Sequence, residues 1–216
     1  DQVYPLPARC DSPEETAAAF ATAKREQPDA RRIFLADGDV MALPFTRLRA
    51  MLEDLNALFP HLARVGIYAN GASINDKTDD QLRMLAALKL NTLYMGLESG
   101  DDGVLRSVHK RETAGGMTTA CRRAQAAGLR MSVMVLLGLG GRAGSAHHAA
   151  STADALNAMQ PRLLSALRVI PIPGTALHEQ VRAGTFIELT EWEAVAELRA
   201  IIARLDLAHT VFRANH

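Results

Sequence analysis

The sequence predicts an α/β protein of repeated strand–helix units, a (βα) barrel or a doubly wound open sheet. Short apolar or β-branched runs recur at intervals of roughly 30–35 residues, the length of a strand–helix repeat. Segments with helical periodicity lie between them. Each run ends in glycines with polar, acidic or proline residues, which in a barrel converge on one mouth. The first two observations also fit a doubly wound open sheet, and the third favours the barrel.

The expected strands are Arg32–Ala36, Arg64–Ala69, Thr92–Leu97, Arg130–Leu137 and Leu163–Ile172, with a weaker sixth at Thr210–Arg213. Apolar nearly throughout, they read as a parallel sheet covered by helices, with right-handed crossovers. Ser12-Pro13-Glu14-Glu15 is a capping box with proline at the first helical position, and Thr78 with Gln81 and Thr190 with Glu193 repeat the box. Leu48, Met51, Leu52, Leu55 and Phe59 form one stripe within Phe45–Phe59. Leu82, Leu85 and Leu88–Leu90 form a second. Asp101-Asp102 reads as a helix start, where acids favour the positive end of the dipole. Thr113 opens a helix that ends at Gly128, a residue suited to a left-handed cap. Exposed loops are expected around Asn70–Asp79 and Gly138–Ala146. No composition break or linker divides the chain, so residues 1–216 are expected to form one domain.

Composition narrows the function. Lys+Arg and Asp+Glu are 24 each and aromatics make up 5%. Neither a general electrostatic nucleic-acid binder nor a stacking platform for single strands is expected. No apolar run approaches the roughly 20 residues that span a bilayer. No secretory leader pattern is visible and two cysteines exclude a disulfide framework, so the cytoplasm is the expected compartment. The chain opens on Asp1 rather than Met and stops at His216 just after Val211-Phe212, and both ends read as cuts in a longer chain.

The chemistry-bearing residues follow the strands. They are Asp37-Gly38-Asp39, Asn70-Gly71, Gly96-Leu97-Glu98-Ser99-Gly100, Gly138-Leu139-Gly140-Gly141-Arg142 and Pro171-Ile172-Pro173-Gly174-Thr175. Alone, Asp-Gly and Asn-Gly are turn dipeptides. Glu98 differs. It follows directly on a buried apolar strand, where an unpaired carboxylate is costly, so it needs a partner or a ligand. The glycines at 138–141 allow close backbone approach to a ligand, but they lack the GxGxxG spacing with its following acid. His147 and His148 point about 100° apart on a helix and cannot readily chelate one metal; both are expected to face solvent. No HExxH or H-x3-H spacing and no G-x-S-x-G elbow is present. Cys121, in step with Met117 and Ala124, reads as core, and Cys10, just before a helix cap, as incidental. Trp192 is expected to pack the final helix.

In their order and spacing, these pieces resemble the radical S-adenosylmethionine (SAM) superfamily. Tyr94-Met95-Gly96-Leu97-Glu98-Ser99-Gly100-Asp101-Asp102-Gly103-Val104-Leu105 resembles the G-[IL]-E-S-G-x-x-x-[VI]-L stretch of its Elongator-like, coproporphyrinogen-oxidase-like and methylthiotransferase-like members. Lys110-Arg111-Glu112-Thr113 resembles the K/R-x-x-T that opens their next helix. Leu136 to Gly141 resembles their glycine-containing strand-five motif, and Ile170 to Leu177 their P-x-P-G-T-x-L. The resemblance covers roughly residues 30 to 190.

The resemblance implies a partial (βα)6 TIM-like barrel as the α/β fold, SAM as cofactor and, in the complete protein, a [4Fe–4S] cluster that cleaves SAM reductively to a 5′-deoxyadenosyl radical. Asp37-Gly38-Asp39 stands where the family has Gly-Gly-Glu, so Asp39 is implied to hold the methionine amino group with a side chain one methylene shorter. Asn70 and Glu98 are implied to face the ribose hydroxyls or the amino group, and Lys110 to pair with the SAM carboxylate. Backbone around Leu137, Gly138 and Gly140 is implied to line the adenine. The sequence departs from the family in one respect, because it contains no Cys-x3-Cys-x2-Cys motif. In relatives those cysteines follow the first strand of the barrel, so that strand is expected before residue 1, leaving a sheet edge through which the chain could associate. Two other readings stand beside the enzyme. One is a degenerate SAM-binding barrel without a cluster. The other is an unrelated (βα) barrel, such as a lyase, using Glu98 and Lys110 as acid and base. The substrate is not legible.

Overall fold

The computed structural model describes residues 12–36 and 38–214. Cys10 and Asp37 therefore lie outside the described residues. Six strands form one sheet: β1 (Arg32–Leu35), β2 (Arg64–Tyr68), β3 (Leu90–Glu98), β4 (Arg130–Leu137), β5 (Leu163–Arg168) and β6 (Val211–Ala214). All neighbours are parallel and their order follows the sequence, β1 to β6. Among the described residues β1 and β6 do not pair, so the barrel is partial, as expected.

The helices are α1 (Pro13–Glu26), α2 (Phe45–Leu58), α3 (Gly71–Asn75), α4 (Asp79–Ala87), α5 (Asp102–Ser107), α6 (Ala114–Ala126), α7 (Gly141–Met159), α8 (Ala176–Arg182) and α9 (Glu191–Ile202). The capping boxes at Ser12, Thr78 and Thr190 form, each reciprocal with the residue three positions on. Asp101 and Thr113 cap α5 and α6. Gly128 sits at φ +89°, just past the end of α6.

Burial alternates along the strands. Val65 and Ile67 on β2, Leu93, Met95 and Leu97 on β3, and Leu164 and Ala166 on β5 point outward into the core. There they meet Leu48, Leu52 and Leu55 of α2, Leu82 and Leu85 of α4, Met117, Cys121 and Ala124 of α6, and Ala153, Leu156 and Met159 of α7. Each buried leucine contributes about 1.5–3 kcal/mol relative to exposure. The inner face is open instead, carrying Phe34, Gly66, Tyr68, Tyr94, Gly96 and Glu98 at alternate positions. Phe34 and Tyr68 are exposed. The helices thus cover one face of the parallel sheet, as expected, and leave the inner face open.

Four expectations are corrected. The segment Asn70–Asp79 is not an exposed loop: Asn70 caps α3, and Ile74 and Lys77 are buried. Gly138–Ala146 is largely the first turns of α7. Leu88–Leu90 does not extend the α4 stripe, because Lys89 turns to φ +69° and Leu90 already begins β3. Trp192 does not pack α9. It is 84% exposed, while that helix buries Ala194, Glu197 and Ile201.

Candidate functional site

The segments that follow β1 and β2 meet at one mouth, with the segment beyond α5 beside them. Asp39, Asn70 and Lys110 line one polar cleft of about 890 Å³, together with Ala42, Ala72, Ser73, Asp76, Arg111 and Glu112. Its size suits a ligand such as a nucleoside. Gly38, at φ +78°, turns the chain into Asp39. Ser73 ties the two strand ends: its Oγ lies 3.1 Å from Asp39 Oδ1 and 2.9 Å from the Asn70 carbonyl, and it accepts the Asn70 N–H at 3.1 Å. One hydroxyl proton can serve only one acceptor at a time, so Asp39 keeps acceptor capacity for a ligand.

Glu98 meets this group through Lys110. The register of β3 on β4 slips between Gly96 and Glu98, leaving Leu97 as the extra residue of a bulge. Bulges re-aim side chains, and here Glu98 stands at φ +62° with its carboxylate 3.7 Å from Lys110 Nζ. Lys110 also donates to the Gly96 carbonyl and lies 4.0 Å from Glu112 Oε2. Burial pushes the Glu98 pKa above the ordinary carboxylate value, and the Lys110 ammonium opposes only part of that push. Gly96 makes the arrangement possible. A Cβ there would collide with Glu98 Oε1 and lie 2.9 Å from its Cδ.

Leu137, Gly138 and Gly140 stand apart from the cleft. Leu137 and Gly138 are buried, and Gly138 donates its N–H to Glu197 Oε1 at 2.6 Å. A Cβ on Gly140 would lie 3.1 Å from His148 Cβ. Close packing on α7 therefore explains that glycine without a ligand.

His147 and His148 split as adjacent helix positions must. The His147 side chain is 75% exposed, but His148 is fully buried, contrary to the expectation that both face solvent. The sequence also gave no sign of Ser73 and Glu112, or of an aromatic floor on the inner face. Phe34, Tyr68 and Tyr94 meet edge to face with centroids 4.9, 5.2 and 6.2 Å apart. A second cavity, about 740 Å³ and mostly apolar, lies beside β1 between α1 and α2.

The residues present suit an adenosyl-sulfonium ligand better than an iron–sulfur cluster. Acidic Asp39 and Glu98 with basic Lys110 complement a zwitterionic cation. Cluster ligation needs thiolates. Cys121 is packed in the core and burial pushes its thiol up to about 12. Among the described residues no group of three or more His, Cys, Asp or Glu side chains is placed to hold a metal.

Residues 5–142 match the radical SAM superfamily. The chain is 24% identical over 191 residues to the heme chaperone HemW of Bacillus subtilis, covering 88% of this chain and 49% of HemW. Its fold is similar to an Elp3 from Methanocaldococcus infernus (TM-score 0.65, 13% identity, 93% of this chain and 51% of that one). It is also similar to coproporphyrinogen III oxidase HemN from Escherichia coli (TM-score 0.64, 15% identity, 89% and 46%). The chain thus spans about half the length of these relatives. At such identities the structures speak for the fold alone. The matched region holds β1 to β4 and every residue of the polar cleft, and it rules out an unrelated barrel: the chain belongs to the radical SAM superfamily.

Proposed function

We propose that this chain is the SAM-binding barrel core of a radical SAM enzyme, a single domain of a longer protein, acting in the cytoplasm on a substrate not yet known. The observation that carries the reading is Glu98, a strained and largely desolvated carboxylate beside Lys110 at the barrel mouth. Asp39 accepts from the methionine amino group, Asn70 and Glu98 from the amino group or the ribose hydroxyls, and Lys110 pairs with the carboxylate. Asp37, two positions before Asp39 in the sequence, is assigned to the same end of SAM. The turn at Leu137, Gly138 and Gly140 borders the adenine end. SAM bound with a reduced [4Fe–4S] cluster supplies the deoxyadenosyl radical; these 216 residues hold two cysteines, Cys10 and Cys121, and no Cys-x3-Cys-x2-Cys motif, so the cluster ligands are assigned to the complete protein outside this chain. No helix among the described residues is long and apolar enough to cross a membrane. Among the described residues β1 pairs with β2 alone, and its other edge is where a further segment or chain would add.

Radiolabelled SAM binding to the 216-residue chain tests the reading. Saturable binding is expected, weakened about tenfold or more by Glu98→Gln and by Asp39→Asn, on the scale of losing a charge-assisted hydrogen bond. Absence of saturable binding, or indifference to both changes, overturns it. A complete protein that binds SAM but forms no 5′-deoxyadenosine after anaerobic reconstitution is the degenerate module instead.

The aromatic floor favours a second reading of the substrate side. HemW carries heme in its name, and Phe34, Tyr68 and Tyr94 offer a flat tetrapyrrole an exposed apolar surface. Hemin titration followed by its absorption band, with Tyr68→Ala expected to weaken binding, decides that point.

A further inference from the structure

Ser99, His148 and Glu197 lie in one buried row, hydrogen-bonded at the serine end and in close charge contact at the glutamate end. The Ser99 hydroxyl pairs with His148 Nδ1 at 2.7 Å, and His148 Nε2 faces Glu197 Oε1 at 3.7 Å. All three are buried, and His148 Nε2 is a buried side-chain nitrogen without a hydrogen-bond partner. The order serine, histidine, acid matches an acyl-transfer triad. Ser99 is fully buried and accepts the Asp101 N–H at 3.0 Å, so no acyl group can reach it.

The ends of the line define its role. Ser99 follows Glu98 directly, and its neighbour Gly100 donates to Thr152 Oγ1 of α7 at 3.0 Å. At the other end Glu197 of α9 accepts from the Gly138 N–H through Oε1 and from the Ser145 hydroxyl through Oε2. Burial holds His148 toward its neutral form, against the pull of Glu197, the Leu136 carbonyl and Asp101. A neutral ring with its proton on Nε2 fits this row: Nδ1 accepts from Ser99, and the Nε2–H faces the Glu197 carboxylate at 3.7 Å, a dipole-to-charge contact longer than a hydrogen bond.

We propose that Ser99, His148 and Glu197 act as one positioning unit that locks the Glu98 turn to the Gly138 turn, so that the polar and adenine ends of the SAM cradle are set together. The unit rests on the reading of those turns as that cradle. Its members touch no ligand and act through the turns they hold.

A double-mutant cycle on the 216-residue chain tests it. SAM affinity is measured for Ser99→Ala, Glu197→Gln and the pair, well below each variant's melting temperature. Each single change is expected to weaken SAM about tenfold, and the double change about tenfold as well, because either cut breaks the same line. A hundredfold loss in the double variant shows two independent supports and overturns the proposal, as does unchanged affinity in the singles. Amide NMR gives a readout independent of SAM: Ser99→Ala is expected to move the Gly138 resonance, which Ser99 does not touch. A Gly138 resonance that stays put also overturns the unit. Glu98→Gln in the same assay isolates the underlying reading, because SAM binding indifferent to Glu98 sinks the cradle while the amide coupling still reports on the unit. Should Glu197→Gln fail to fold, His148→Gln interrupts the line at its centre with the same expectations.

Discussion

Two glycines four positions apart make opposite predictions. A Cβ on Gly100 would lie 2.6 Å from Thr152 Cα and closer still to the Ser151 carbonyl, both on the α7 backbone. Ordinary contact is 3.4–4 Å, so α7 and the turn must separate. Overpacking against rigid backbone costs about 1–3 kcal/mol, and the strained Gly100–Thr152 hydrogen bond adds about 1 kcal/mol. For a chain of this size, about 3 kcal/mol lowers the melting temperature by roughly 6–12 °C. A Cβ on Gly96 meets instead the movable end of Glu98. The Gly96→Ala fold should stay within about 1 kcal/mol of the parent, while Glu98 swings away from Lys110 and SAM affinity falls. Thermal melts and SAM titrations on both variants give the comparison. A Gly100→Ala protein that melts with the parent, or a Gly96→Ala protein that melts as low as Gly100→Ala, refutes the assignment of one glycine to packing and the other to the site.

Three further outcomes follow from single residues. Trp192 is the only tryptophan and 84% exposed, so its fluorescence should be fully quenched by a soluble quencher in the native state, and Trp192→Phe should change stability by less than about 0.5 kcal/mol; shielded emission contradicts the placement. Cys121, buried with its thiol pushed up to about 12, should resist alkylation at pH 8 until denaturant is added, as peptide mapping would show. Glu98→Asn should keep or raise stability by about 1 kcal/mol, since asparagine tolerates positive φ and carries no charge to desolvate; a clear loss in chemical denaturation would make the Glu98–Lys110 pair structural.

Much of the fold was legible because it is written locally. Capping boxes at Ser12, Thr78 and Thr190 and the α2 stripe need only residues three or four apart, and all of them form. The errors arise where tertiary context outvotes residue type. In α9 a glutamate is buried and a tryptophan exposed, because Glu197 has the Gly138 N–H and the Ser145 hydroxyl to satisfy it. Lys89 ends the leucine run in a left-handed turn that lysine rarely signals. At the site, Glu98 could be singled out because a carboxylate ending an apolar strand demands a reason. Ser73, Glu112 and His148 could not. Their partners Asp39, Ala72 and Ser99 lie 34, 40 and 49 residues away, and only the folded barrel brings them together.

Glu98 gathers three unfavourable terms at one residue: a left-handed backbone, a bulge in the ladder, and a carboxylate whose burial raises its pKa. Strain of this kind costs about 1–3 kcal/mol and persists where the surroundings over-determine it. Here they do, since Gly96 clears the space, Ser99 is tied to His148, and Gly100 lets α7 close on the turn. Lys110 compensates only in part, being shared with Glu112 and the Gly96 carbonyl. A cationic ligand would supply the rest. Binding a sulfonium with its ammonium group favours the ionised carboxylate and so lowers the raised pKa toward the ordinary value. Below that raised value the free protein holds a proton on Glu98 that the complex gives up, so binding releases protons at mildly acidic pH and fewer as pH rises above it. Calorimetric titrations with SAM in two buffers of different ionisation enthalpy measure that release directly. Proton release that vanishes in Glu98→Gln assigns it to this carboxylate, and heats independent of buffer at every pH refute the idea that Glu98 faces the ligand's positive charge.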